Sequence, residues 1–384
     1  MGARLLEQTF TRDKLRQALI VFFSLSPRQP PFKESSPPRS GALRKARLAR
    51  QSLARLRAVL GTVTAVFVAV SVASVPAAAQ VATGDWTVPR TPWGEPDLQG
   101  IWSNATTTPL QRPPELAEKE FFTNEEVSDR DARVGDARNT DRAPRAGDPG
   151  TYNEFWWERG RTVANNRTSL IVDPADGRLP PLTPEGRRRA DTRAQTRRER
   201  GPYDSFEDRP LAERCLIYRG VPAFPTGYNN NYHIVQAPGY VAILQEHIHS
   251  VRLIPLDGRP HIAPGTRQWL GDSRGRWEGD TLVVETTNFR DRPSFRQGSR
   301  NMKVTERFSR MDADTLLYNF TVEDPTVWSA PFTGEYAWPR SDNKVFEYAC
   351  HEANYALEGI MHGARLLEAD FRGEEPEGVA NPTR

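Results

Sequence analysis

Beyond Asn231 the chain runs through a succession of short segments rich in Val, Ile, Thr and aromatic residues, each closed by turn-forming residues. The segments are Tyr232–Gln236, Tyr240–Leu256, Thr281–Thr287, Met302–Arg310, Thr315–Val322 and Val345–Cys350. Between them stand Pro238-Gly239, Asp257-Gly258, Glu278-Gly279-Asp280, Asp312-Ala313-Asp314 and Ser341-Asp342-Asn343. Short turns between successive strands favour hairpins, so this spacing predicts a mainly β, antiparallel domain. Six strands suffice for a closed barrel or for a sandwich. The barrel is the preferred expectation, because closure leaves no exposed sheet edge.

Charge divides the chain unevenly. Of its 52 basic and 49 acidic residues, 13 basic and 3 acidic ones lie in residues 1–79, so residues 80–384 carry 39 against 46 and a net charge of −7. That sign argues against a nucleic-acid partner, since non-specific affinity for phosphate backbones comes from clustered Lys and Arg. Residues 1–79 have the order of a leader, an upstream extension followed by a signal peptide. A basic stretch from Arg44 to Arg57 precedes the uncharged run Val59–Val75, and Ala77-Ala78-Ala79 suits cleavage before Gln80. Export to the periplasm or beyond is the expectation, with no membrane-spanning segment in the mature chain. The two cysteines, Cys215 and Cys350, would then meet an oxidising compartment and are expected to pair.

Residues 80–150 are Pro-, Asp- and Arg-rich with few apolar runs, and are expected to form an extended, partly disordered arm. Residues 151–384 would be the β domain. Within it Thr168–Asp173 is a short β run. Thr183-Pro184-Glu185 is a helix start, with Thr as cap, Pro at the first helical position and an acid in the first turn. The helix over residues 183–200 bears seven arginines from Arg187 to Arg200 and almost no apolar face, which predicts a solvated, basic surface helix.

Chemistry concentrates in YVAILQEHIHSVRLIP, Tyr240–Pro255. As one strand, it would place Gln245, His247 and His249 on one face and Glu246 and Arg252 on the other. Two imidazoles so spaced can share a metal ion, with His261 or His351 as a third donor. The donor set is incomplete, however, and no metal or cofactor is expected. Alternatively, a bulge would bring His249, as general base, together with Glu246, Arg252 and Asp257, the catalytic grouping of a hydrolase or lyase. No GxSxG, HExxH, Walker A or post-strand GxGxxG motif is present. The many aromatic residues of the β region would either fill its core or line an apolar ligand cavity.

Gly100-Ile101-Trp102 resembles the Gly-x-Trp that opens lipocalin-type barrels. More broadly, PWGEPDLQGIWSN, TSLIVDPADGR, YNNNYHIVQ, HSVRLIPLDGRPH, DADTLLYNFTVEDP and above all GRWEGDTLVVETTNF resemble a family of uncharacterised exported bacterial proteins, over about Pro92–Ala364. The resemblance implies export and a single module, and brings no reaction or ligand. Its Glu-x-x-His-x-x-Arg pattern is matched by Glu246, His249 and Arg252. The leading expectation is therefore an exported β-barrel protein binding a small, partly apolar molecule. Its expected ligand contacts are Trp277, Trp102 and Tyr348 as rings and His249, Arg252, His261 and His351 as polar groups. An enzyme on the same barrel is the alternative, and an envelope interaction protein, docking through residues 80–145, the third reading.

Overall fold

In Thr315–Glu323 every second residue, Leu316, Tyr318, Phe320 and Val322, is buried, so the stretch can satisfy both water and core only as a strand with one face inward. The same alternation recurs along Lys303–Arg310 and Phe332–Pro339. The computed structural model describes residues 86–138, 141, 157, 160, 164–201, 203–291, 295–352 and 354–373, without the side chains of 135–138 and 249. The leader expected over residues 1–79 lies outside the described residues.

Ten strands are described: β1 Gly100–Ser103, β2 Ile171–Asp173, β3 Asn231–Ala237, β4 Tyr240–Gln245, β5 Ser250–Pro255, β6 Asp272–Glu278, β7 Thr281–Thr287, β8 Lys303–Arg310, β9 Thr315–Glu323 and β10 Phe332–Pro339. They form two antiparallel sheets, of order β1-β3-β4-β5 and β2-β10-β9-β8-β7-β6. The sheets approach each other at both edges. There β5 lies beside β6, and Trp102 of β1 bridges to Arg340 just after β10. Hydrogen bonding thus gives two sheets rather than one closed ring of strands. Their inner faces share a single apolar core, in which Tyr232 of the first sheet packs on Trp338 of the second with ring centroids 4.8 Å apart.

Three helices accompany the sheets: α1 Asn124–Arg138, α2 Pro184–Arg200 and α3 Tyr355–Arg372. Helix α2 starts as its sequence predicts, with the Thr183 hydroxyl accepting from the Gly186 N–H at 2.9 Å. The helices α1 and α3, the strand β6 and the strand β10 carry no expectation from the sequence. No helix of the described residues is long and apolar enough to cross a membrane.

Two strand expectations are corrected. Tyr240–Leu256 is not one strand: it reverses through a 3-10 turn at His247–His249, where Ile248 adopts φ 56°, and β4 then pairs with β5 from Gln245↔Ser250 to Tyr240↔Pro255. The hairpin satisfies backbone groups that a single long edge would leave open. Val345–Cys350 forms no strand either, and Phe346 stands 71% exposed. The last strand is instead β10, whose Gly334 is demanded by packing, because a side chain there would collide with the Phe320 ring.

An ion pair lies inside the core. Arg252 of β5 reaches Glu306 of β8 through two hydrogen bonds, of 2.5 and 3.1 Å, with the carboxylate side chain fully buried. A buried charge needs an opposite charge or several hydrogen bonds, because desolvating each ion costs several kcal/mol. Glu306→Ala would strand the guanidinium and should lower unfolding stability by about 3–5 kcal/mol in denaturant titration, with Arg252→Met/Glu306→Leu recovering much of the loss. A single-mutant cost below about 1 kcal/mol, the range of exposed pairs, would refute this role.

Candidate functional site

The Arg252–Glu306 pair begins a chain of buried polar contacts. The Tyr318 hydroxyl donates to Glu306 at 2.8 Å and accepts from the Ala223 N–H at 2.9 Å. The Tyr336 hydroxyl donates to the Ala223 carbonyl at 3.1 Å and accepts from the Asn104 amide at 3.4 Å. Burial, and secondarily the Glu306 charge, pushes the Tyr318 phenol well above its usual range, while burial and then Tyr232 raise Tyr336. Both phenols therefore stay protonated donors at neutral pH. Burial by itself would lower the Arg252 pKa, but the Glu306 charge and hydrogen bonds outweigh it and raise the pKa above its usual value. The network thus clamps both backbone groups of Ala223, and with them the irregular segment of residues 219–225.

That segment forms one side of a cleft of about 440 Å³. Leu110, Leu170, Pro222, Phe224 and Phe295 supply apolar walls, with the two phenylalanines stacked at 5.2 Å, and Arg219 and Arg296 supply the charge. None of the lining residues belongs to a strand. The cleft lies among loops because large rings that pack on one another, including Trp338, Tyr318, Tyr336, Phe308 and Phe320, already fill the space between the sheets.

Beside Arg219 stands a cluster of rings. Tyr218 stacks on His247 at 4.1 Å, with Tyr348 at 4.9 Å and Tyr228 at 5.1 Å from the same imidazole. The Cys215–Cys350 disulfide, Cα–Cα 5.6 Å, brings together the chain segments that carry Tyr218 and Tyr348. His247 is 1% exposed, and neither ring nitrogen makes a hydrogen bond of regular geometry among the described residues. Burial depresses its pKa to about 4; the backbone at Asn229 and Tyr228 opposes part of that shift, and the Arg219 charge adds to it.

Of the residues expected to act together, the described side chains engage different partners. Glu246 accepts from the Asn231 N–H at 3.1 Å and from its amide at 2.9 Å, whereas Arg252 turns to Glu306. Asp257 lies in the turn after β5, paired with Arg259. The side chain of His249 lies outside the description. Among the expected ligand contacts, Trp102 is fully buried between the guanidiniums of Arg310 and Arg340, at 4.9 and 4.6 Å, and donates to the Leu98 carbonyl. Trp277 packs against the core, with its indole N–H buried and unpartnered among the described residues. His261 contacts Asp272 at 2.8 Å and Glu285 at 3.4 Å, and His351 is exposed. His247, one of the two imidazoles considered for a metal, is enclosed by rings. No group of three or more His, Cys, Asp or Glu among the described residues is placed to hold a metal ion.

Sequence reasoning missed Arg219, Arg296, Phe224, Phe295 and Glu306. Only Glu306 left a signal: in KVTERFSR it shares its alternation phase with Val304 and Phe308, which demands a cationic partner inside. Comparison with models of protein families, with curated proteins and with solved structures found no match.

The His247 environment sets a pH dependence. With a folded pKa near 4 and an ordinary value of 6.5, the unfolded chain binds the extra proton between those limits. The contribution is complete above 6.5 and is lost as pH falls towards 4. His247→Phe should flatten the decline of the thermal midpoint over that window, and a decline equally steep in the variant would refute the assignment.

Proposed function

We propose that this chain is an exported β protein that binds a small, partly apolar molecule in the loop cleft walled by Phe224 and Phe295. The observation that carries the reading is the cleft itself. Its volume of about 440 Å³ suits a small-molecule ligand, its walls combine apolar side chains with two arginines, and a clamped backbone segment forms one side. Prior clamping favours binding, since a site already ordered loses little entropy when occupied.

Export is supported by the composition of residues 1–79 and is compatible with the Cys215–Cys350 disulfide, which would persist in the periplasm or outside the cell. Barrel-like closure of the two sheets is favoured by the approach of β5 to β6 and by the Trp102–Arg340 bridge. The GRWEGDTLVVETTNF block, which carries the resemblance to exported bacterial proteins, contributes β7, most of β6 and the turn between them rather than the cleft. That resemblance therefore bears on export and architecture and leaves the ligand open.

Ligand-observed NMR with a library of aromatic fragments should yield hits for the wild type. Leu110→Trp, which fills the cleft, should remove them, and Trp277→Ala should retain them. Hits that persist undiminished in Leu110→Trp would place binding elsewhere and overturn the reading.

A further inference from the structure

The cleft holds two guanidiniums, Arg219 and Arg296, and neither makes an ion pair with a described carboxylate. Elsewhere, Arg252 and Arg274 are drawn inside the fold and meet carboxylates, Arg252 pairing with Glu306 and Arg274 with Asp272. Among the described residues, the cleft lining includes no Asp or Glu.

Two arginines facing the same space repel each other. Their proximity is felt at Arg296, whose pKa is held below the usual arginine value first by partial desolvation at the cleft and then by the Arg219 charge. The fold nevertheless keeps both in place. Arg219 has the Tyr218 ring 5.4 Å from its guanidinium carbon, and that ring is itself stacked on His247. Arg296 adopts φ 43°, a left-handed conformation unfavourable for a residue with a long side chain, and such strain persists where the surroundings impose it. Thr108 adds a third polar group. Its hydroxyl accepts from the Ala164 N–H at 2.9 Å and from Thr106 at 3.3 Å, which leaves its own proton to donate.

We infer that the molecule bound in this cleft is an organic anion, its carboxylate or phosphate head held between Arg219 and Arg296 and its apolar body lying against Phe224, Phe295 and Leu170. The inference rests on the ligand-binding reading above and deepens it. Guanidinium forks match the planar or tetrahedral oxygens of such head groups. A neutral ligand of the same shape would leave the repulsion between the two arginines uncompensated. A carboxylate of the protein would relieve that repulsion permanently, and none of the described lining residues supplies one.

The test uses matched acid and amide probes of increasing length, benzoate with benzamide through 4-phenylbutyrate with 4-phenylbutyramide, together with phenyl phosphate, titrated calorimetrically into the full chain. The best acid or the phosphate should bind at least about tenfold more tightly than the neutral probe of the same body at low ionic strength, with the preference shrinking as salt is added. Arg219→Gln and Arg296→Gln, both at exposed positions and checked for unchanged thermal midpoints, should each remove most of that preference while leaving amide binding unaltered. Acid-over-amide preference and phenyl phosphate binding separate the two head groups. Equal binding of acids, phosphate and amides would overturn the anion inference while sparing the ligand-binding reading. Failure of every probe, charged and neutral, would overturn both.

Discussion

A single charged contact, Arg252 with Glu306, governs how the two sheets come together. Their inner faces are otherwise Val, Leu, Ile and aromatic rings, surfaces that would pack in several registers at similar cost. A bidentate ion pair between β5 and β8 admits one register, because any slip leaves a buried charge without its partner. The pair is then extended by hydroxyls. Tyr318 and Tyr336, fully buried on β9 and β10, aim their phenols at the two backbone groups of Ala223. What begins as a requirement of the core thereby fixes a loop outside it.

This explains why the cleft lies where it does. Rings from both sheets occupy the interior, and Gly334 is needed to admit Phe320 at all. The cleft opens where the chain leaves the sheets, and among those loops the segment of residues 219–225 is braced at its middle by the core phenols. Trp102 is spent between Arg310 and Arg340.

The sequence was legible where local chemistry decides structure. Thr183-Pro184 opens α2, Glu278-Gly279-Asp280 turns β6 into β7, and the limits of β7 agree with its run of Thr, Val and Leu. It was opaque where tertiary packing decides. FTGEYAWP carries the strand formers Phe332, Thr333, Tyr336 and Trp338, but Gly334, Glu335 and Ala337 dilute its signal, and it is fixed as β10 by the contact of its rings with those of β9. The reversal at Ile248 has no Gly, Pro or Asn to announce it. Helix α3 is amphipathic yet leaves Leu367 and Phe371 largely exposed, so its pattern reports no burial. Of the candidate site, Glu306 was readable from its phase in β8. Arg219 and Arg296 sit in irregular segments without periodicity, and only the folded chain shows that they share a cleft with Phe224 and Phe295.

The aromatic cluster beside the cleft carries a further constraint on charge. His247 is packed against Tyr218, the same ring over which the Arg219 guanidinium lies, and the two basic groups influence each other. A protonated imidazole there would add a third positive charge near Arg219 and Arg296 and would be buried without a counter-ion. Burial answers both problems by holding His247 neutral down to about pH 4, so that the ring serves as an uncharged stacking partner at physiological pH. The disulfide complements this, since Cys215 and Cys350 join the segments bearing Tyr218 and Tyr348 and keep the imidazole enclosed. The cleft can thus concentrate two arginines because the third basic group nearby is kept from ionising.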